Sequence, residues 1–378
     1  RRINMALSKI DVANMLTGLV PNDNTIRRPN AKPIIINGSM DVSQRATSTS
    51  SITSDGFHTL DRFETHISSL GTWTQSQDTD VPSGQGFANS LKMDVTSADA
   101  SPSAGDYCVI RTKFEGQDLQ LFKKGTSSAE KFTLAFWVKS SKTGTHIVEL
   151  FDIDNTRTVS QAYTISSADT WEKKVVNFPA DTTGAFGDDN GRSLDIQFWL
   201  GAGSNFTSGT LQTTWAGQTN ANRIVGQVNL ADNTSNNWYI TGVQLEVGEF
   251  SSTTIPPFQH ESFADNLARC KRYFETQTGF YFFSFQSGTN VTHNAFINCK
   301  VEKRDTPTGT YSGSAVNYYP NTGGGNSETN NVTAITIGDK NGSTFLRFDS
   351  EGDAPTDAGF YPIYADARNA VANWDAEL

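Results

Sequence analysis

The sequence predicts a mainly β protein: an antiparallel β-sandwich of jelly-roll type and a smaller C-terminal β domain, with a short N-terminal helical arm and a linking helix. Three observations carry this prediction. Short runs alternating apolar and polar residues recur between turns rich in Gly, Asn and Asp, as along Phe132–Lys139 and Leu194–Leu200. The apolar bulk comes from 24 Phe and 7 Trp while only 19% of residues are charged, a mixture that suits aromatic-filled sheets joined by small polar turns. Helix signatures stand at two places, too few for parallel βαβ units. At 378 residues the chain can hold two or three domains, each with its own core.

The arm comes first, at residues 1–33. Ser8 is placed to cap a helix, with Asp11 three residues on and Leu7 and Val12 set for a hydrophobic staple; Gly18 is the stop signal. Leu7, Val12, Met15 and Leu16 are the candidate docking contacts, because a helix this short is marginal alone and needs a partner. Pro21–Pro33 reads as an extended linker. Six cations against two acids give residues 1–33 a net charge of +4, leaving −14 on the body. An acidic body argues against nucleic acid as the partner, since phosphates need a cationic surface.

The body, residues 34–262, opens with Ile34-Ile35-Ile36 as a buried strand. Further strands are expected at Leu60–Ile67, Ser90–Val95, Tyr107–Lys113, Lys131–Ser140, His146–Asp152, Gln161–Ile165, Glu172–Phe178, Leu194–Leu200 and Asn237–Val247. Residues 263–378 start with a linking helix, capped by Ser262 with Asp265 and carrying Phe263, Leu267, Cys270 and Phe274 as its apolar stripe. Strands at Phe280–Phe285, Ala295–Val301, Ala334–Gly338, Thr344–Asp349 and Gly359–Tyr364 follow. Asn317–Asn331, with three consecutive glycines, reads as an exposed loop. No apolar run approaches the roughly 20 residues that span a bilayer, so membrane insertion is not expected. Cys108, Cys270 and Cys299 have no metal-binding spacing, and free buried thiols are expected.

The five histidines form no metal motif, and there is no nucleophile elbow or complete phosphate loop. A glycosidase needs two facing carboxyl groups roughly 5–9.5 Å apart, which spacing alone does not report. Three strands offer a face on which Trp lies beside amides and carboxylates: Trp137 on the first, Asp195, Gln197 and Trp199 on the second, Gln244 and Glu246 on the third. That mixture suits a sugar, whose C–H face covers an aromatic plane while polar groups take its hydroxyls. It equally suits the second, partly buried face of a sandwich. Asp152, Asp154 and Asn155 cluster in one turn, a candidate Ca²⁺ site or simply a solvated turn.

Two segments frame the body. One is Asn37-Gly38-Ser39-Met40-Asp41-Val42-Ser43-Gln44-Arg45. The other is Trp238-Tyr239-Ile240-Thr241-Gly242-Val243-Gln244-Leu245-Glu246-Val247-Gly248, followed by Ala268-Arg269-Cys270-Lys271-Arg272-Tyr273-Phe274-Glu275. Their order, from about Asn37 to the C-terminus, resembles a family of bacteriophage tail fibre and tail-associated virion proteins. The resemblance implies a structural virion protein assembled in the host cytoplasm. Residues 1–33 would dock on other tail or capsid proteins, and a jelly roll like a carbohydrate-binding module would bind host surface glycan. It further implies a homotrimer and a scaffold role for Gln244 and Glu246; with no catalytic signature in the sequence, no enzymatic activity is expected, and no cofactor beyond the candidate Ca²⁺. A capsid spike, a purely structural appendage and a polysaccharide depolymerase are the alternative expectations.

Overall fold

The computed structural model describes residues 32–278, 299–310 and 371–378 with their side chains, and the backbone course of the remaining strands named below. The expected docking residues Leu7, Val12, Met15 and Leu16 lie outside the described residues. Twelve strands build two facing six-stranded sheets. They are β1 (Ser48–Ile52), β2 (Glu64–Ser68), β3 (Thr72–Asp78), β4 (Ser90–Ser97), β5 (Tyr107–Glu115) and β6 (Phe132–Ser140). The rest are β7 (Gly144–Asp152), β8 (Arg157–Ile165), β9 (Glu172–Phe178), β10 (Arg192–Ala202), β11 (Ala216–Gly217) and β12 (Asn237–Val247). One sheet, here called the front sheet, runs β1-β3-β4-β12-β6-β9; the back sheet runs β11-β8-β7-β10-β5-β2. All strand pairs in both are antiparallel. Consecutive strands stay in one sheet only at β3–β4, β7–β8 and β10–β11, and every other connection crosses between the sheets, the wound topology expected of the sandwich.

Period-two alternation explains the core. Phe132, Leu134, Phe136 and Val138 of β6 point inward, as do Leu194, Ile196, Phe198 and Leu200 of β10 and Val243 and Leu245 of β12. Trp73 and Trp238 fill the centre, and Phe122, from a 3₁₀ turn at Gln120–Phe122, stacks on Phe132 at 3.8 Å.

The expected strand at Ile34–Ile36 is instead a bend leading into a turn. Asn37 there adopts a left-handed φ of 60°, and its side chain donates to the carbonyls of Val42 (2.8 Å) and Asp61 (3.0 Å). A local side chain–backbone network has taken the place of ladder bonds.

Beyond the sandwich, helix α1 (Phe263–Lys271) starts as expected: Ser262 Oγ accepts from Asp265 N at 3.2 Å and donates to its carboxylate at 2.6 Å. Its stripe is shorter than expected, since Phe263 is 60% exposed and Phe274 already belongs to a strand. That strand, β13 (Phe274–Thr278), begins a three-stranded sheet, and the strands β14 (Tyr281–Phe285), β15 (Thr292–Ala295), β16 (Thr308–Ser312), β17 (Ala315–Tyr318), β18 (Glu328–Lys340), β19 (Ser343–Glu351), β20 (Phe360–Ala365) and β21 (Val371–Asp375) follow. The three-stranded sheet runs β13-β21-β16, and a six-stranded sheet runs β14-β20-β17-β18-β19-β15. The expected loop at Asn317–Asn331 is partly strand: Asn317 pairs with Thr329 and Tyr318 with Glu328, so β17 and β18 close on a shorter connection. Among the described residues none of the three cysteines forms a disulfide, and Cys108 and Cys270 are buried.

The framing segments of the sequence meet in space. Val243 N donates to Gly38 O at 2.9 Å, where β12 shifts register between Thr241 and Gln244, and Asn37 N donates to Asn266 Oδ1 of α1 at 3.1 Å. Gln44 Nε2 donates to Phe274 O at 2.7 Å. Arg45 stacks on the Phe274 ring, 3.6 Å from its centre, and pairs with Asp375 at 3.1 Å.

Candidate functional site

The six candidate sugar contacts do not converge. Because inward residues alternate with outward ones, Trp137, Gln244 and Glu246 fall on the outer face of the front sheet, and Asp195, Gln197 and Trp199 on the outer face of the back sheet. The core lies between the two groups, so they belong to different surfaces.

On the back face one transverse row crosses five strands: Glu64 of β2, Arg111 of β5, Gln197 of β10, Glu149 of β7 and Ser160 of β8 stand opposite one another in register. Arg223 reaches onto Glu149 through Nη2 at 2.7 Å and Nε at 2.9 Å, and donates to Gln197 Oε1 at 3.2 Å. Trp199 Nε1 donates to the same Glu149 carboxylate at 3.1 Å. Phe206, Leu211 and Ile224, from the segment after β10, cover Trp199 and leave it 2% exposed. Asp195 is fully buried and held by Arg192 Nε at 2.7 Å. Burial works against the charge of Glu64, yet the Arg111 hydrogen bonds and the Lys113 ammonium overcome it and hold its carboxyl down at about 2. Burial and the Arg111 charge push the His66 imidazole down despite its Asp55 partner. This face has paired its charged groups, leaving the buried Ser160 hydroxyl without a partner, and has roofed its indole, so Trp199 offers no plane for a ligand to stack on.

The front face differs. Its lower half is covered by the chain after β12. Gln244 Nε2 donates to Pro256 O at 2.9 Å, Asn177 Nδ2 donates to Phe250 O at 2.9 Å, and burial raises the Glu246 carboxyl. Its upper half is less covered: Trp137, Trp171 and Lys173 keep surface in solvent, while Thr241, Lys139 and Tyr239 are buried. Trp137 is half-buried, with Lys173 of β9 directly opposite on one side and Thr241 of β12 on the other. Two residues along β6, Lys139 lies over the Tyr239 ring at 4.0 Å and pairs with Asp80. Trp171 donates its indole N–H to Asp80 Oδ1 at 2.9 Å, and its ring meets Tyr239 edge-on at 6.1 Å. Lys92 pairs with Asp94 at 2.9 Å on the far side of Tyr239. Burial slightly opposes the Asp80 charge, while the bonds from Lys139 and Trp171 win and lower its carboxyl.

Trp171 escapes sequence reasoning because it sits in the turn before β9, where alternation says nothing about direction. Lys173 escapes because a lone exposed lysine carries no motif. Lys173 becomes visible through the β6–β9 register, and Trp171 through its contacts with Asp80 and Tyr239.

The Asp152, Asp154 and Asn155 turn has its oxygens engaged by protein donors. Asp152 Oδ2 takes the fully buried Lys124 ammonium at 2.5 Å, Asn155 N donates to Asp152 Oδ1 at 3.1 Å, and Asp154 Oδ2 accepts from Gly187 N at 2.9 Å. Among the described residues no group of three or more His, Cys, Asp or Glu side chains is arranged to hold a metal ion.

No protein-family model and no curated protein sequence matches the chain. Among solved structures, 57% of the chain is similar to 21% of the enzymatically active domain of bacteriophage CBA120 tailspike protein 4, with 16% identity and a TM-score of 0.31. The chain thus spans about a fifth of that tailspike domain. It is also similar to TmCBM61, solved with β-1,4-galactotriose (57% of this chain, 99% of that chain, 8% identity, TM-score 0.28). A third is the family 11 carbohydrate-binding module of Clostridium thermocellum, solved with a mixed-linked tetrasaccharide (54% and 97%, 10% identity, TM-score 0.26). At these scores neither fold nor ligand carries across to this chain.

Proposed function

We propose that the chain is a bacteriophage virion protein, a short tail fibre or appendage, that attaches to the host by binding surface glycan at the Trp137 patch on the less covered half of its front sheet. The observation that carries this is Trp137. Of the two candidate indoles it alone keeps an accessible ring, set on a rigid strand among Lys139, Lys173 and Asp80, whose polar ends reach where sugar hydroxyls would lie. Rigid placement matters because a platform that is already ordered loses little freedom on binding. Single-site affinity of such an open face is modest, and association of the expected three copies would multiply it. Residues 1–33 supply the virion contact in this proposal. Binding rather than hydrolysis suits the face, since the Asp80 carboxylate is held ionised by Lys139 and is a poor proton donor.

The test is a glycan array with the whole protein, followed by calorimetric titration of Trp137→Ala. Loss of the stacking plane is expected to cost about 1 kcal/mol per site, roughly a fivefold weaker Kd, while Trp199→Phe leaves binding unchanged. Equal affinity of Trp137→Ala and the natural protein would remove this face from the function. Failure of the intact oligomer to bind any host glycan would favour a purely structural appendage.

A further inference from the structure

The lysines around the front platform are not equivalent. Lys92 pairs with Asp94, Lys139 with Asp80 and Lys142 with Asp232. Lys131, at the foot of β6, pairs with Glu249 at 2.5 Å. Lys173 has no acidic partner among the described residues, although it is exposed and stands directly across the strand pair from Trp137. Residues opposite one another in an antiparallel pair have Cβ atoms roughly 5 Å apart, within the span of one sugar ring. Asp80, the acid at the edge of this platform, is already taken by Lys139 and the Trp171 indole.

We infer that this platform is built for an acidic glycan: a sugar ring stacks on Trp137 and its ring carboxylate meets the Lys173 ammonium. The inference rests on the binding face proposed above and adds the class of sugar. On a protein whose formal charge is −10, long-range attraction cannot supply such a preference; a local unpaired cation can. The contact is solvent-exposed, so its effect is small and salt-sensitive. The competing account is that Lys173 merely blunts β9, the last strand of the front sheet, against edge-to-edge pairing.

The experiment titrates the whole protein with oligogalacturonate and with the matching neutral galacto-oligosaccharide, at low and at high salt. The acidic oligomer is expected to bind about threefold more tightly at low salt, with the difference fading as salt rises. Lys173→Gln should abolish that difference and leave the neutral affinity as it was, whereas Lys131→Gln should change neither. Equal binding of the two oligomers, or a preference that survives Lys173→Gln, overturns the inference and leaves the Trp137 face standing. Absence of binding by either oligomer overturns the inference, and a glycan array on which the natural protein and Trp137→Ala behave alike overturns the face as well.

Discussion

Two carboxylates three residues apart show how environment sets the sign of a charge's effect. Asp61 is 1% exposed, and burial pushes its carboxyl up to about 6, against the bonds donated by Gln44 N and Nε2. Glu64, paired with Arg111 and Lys113, is held at about 2. For Asp61 the folded value lies above the unfolded one, so its favourable contribution is present below about pH 4 and is lost as pH rises through 6. For Glu64 the folded value lies below, so its contribution is present above about pH 4.5 and is lost as pH falls towards 2. Each shift spans two units or slightly more, about 3 kcal/mol at most. Urea midpoints followed from pH 2 to 7 should therefore rise to a maximum near pH 4 and decline to pH 6. Glu64→Gln should flatten the acid limb, and Asp61→Asn the decline. A midpoint that climbs steadily from pH 4 to 6 would show that Asp61 ionises without cost.

At the scale of elements, much of the sandwich was legible, and the failures have physical causes. Strands such as β6 and β10 bury one complete face, so their alternation is strong, and the inward residues of both are those the sequence indicates. Edge strand β1 buries little of itself and leaves no such pattern. The Ile34–Ile36 run misled because burial there comes from a turn rather than a strand. The site was half legible. Trp-bearing outer faces could be read from alternation, but not which of two sheets each belonged to, and Trp137 and Trp199 ended on opposite surfaces. The framing segments were visible as motifs without a visible purpose. The structure supplies one: a Cβ on Gly38 would stand 2.2 Å from Val243 O, so the turn and the irregular stretch of β12 are mated at backbone distance. Gly38→Ala must separate them and break the Val243 N–Gly38 O bond. A loss of about 1–3 kcal/mol is expected from such overpacking, measured as a lower urea midpoint. An unchanged midpoint would mean that the turn can back away freely.

At the scale of the whole molecule, the contact between sandwich and C-terminal sheet is made by charged groups more than by apolar ones. Arg62 is 1% exposed, lies 3.4 Å from the centre of the Tyr273 ring, pairs with Glu377 and donates to Lys113 O at 2.5 Å. Arg272 forks onto Glu115 with two bonds of 2.8 Å, and Arg304 donates to Asn190 O at 3.0 Å. Directional bonds of this kind fix one relative placement, as an appendage that transmits load between a docking end and a binding face requires; that requirement belongs to the proposed function. Buried pairs are worth little net but cost much to break, because the survivor stays desolvated. Arg62→Met leaves the Glu377 carboxylate, whose side chain is 6% exposed, with only the longer Arg45 contact at 3.5 Å, and is expected to cost about 3 kcal/mol. Adding Glu377→Gln should recover part of that loss, because the under-paired carboxylate is then gone. Calorimetry and limited proteolysis after Ser262 read the consequence: the single variant should release the C-terminal sheet before the sandwich melts, and the double variant should restore joint melting in part. If Arg62→Met unfolds in one transition at the natural temperature, the coupling is carried by the Arg272 and Arg45 contacts, and the buried guanidinium is dispensable to it.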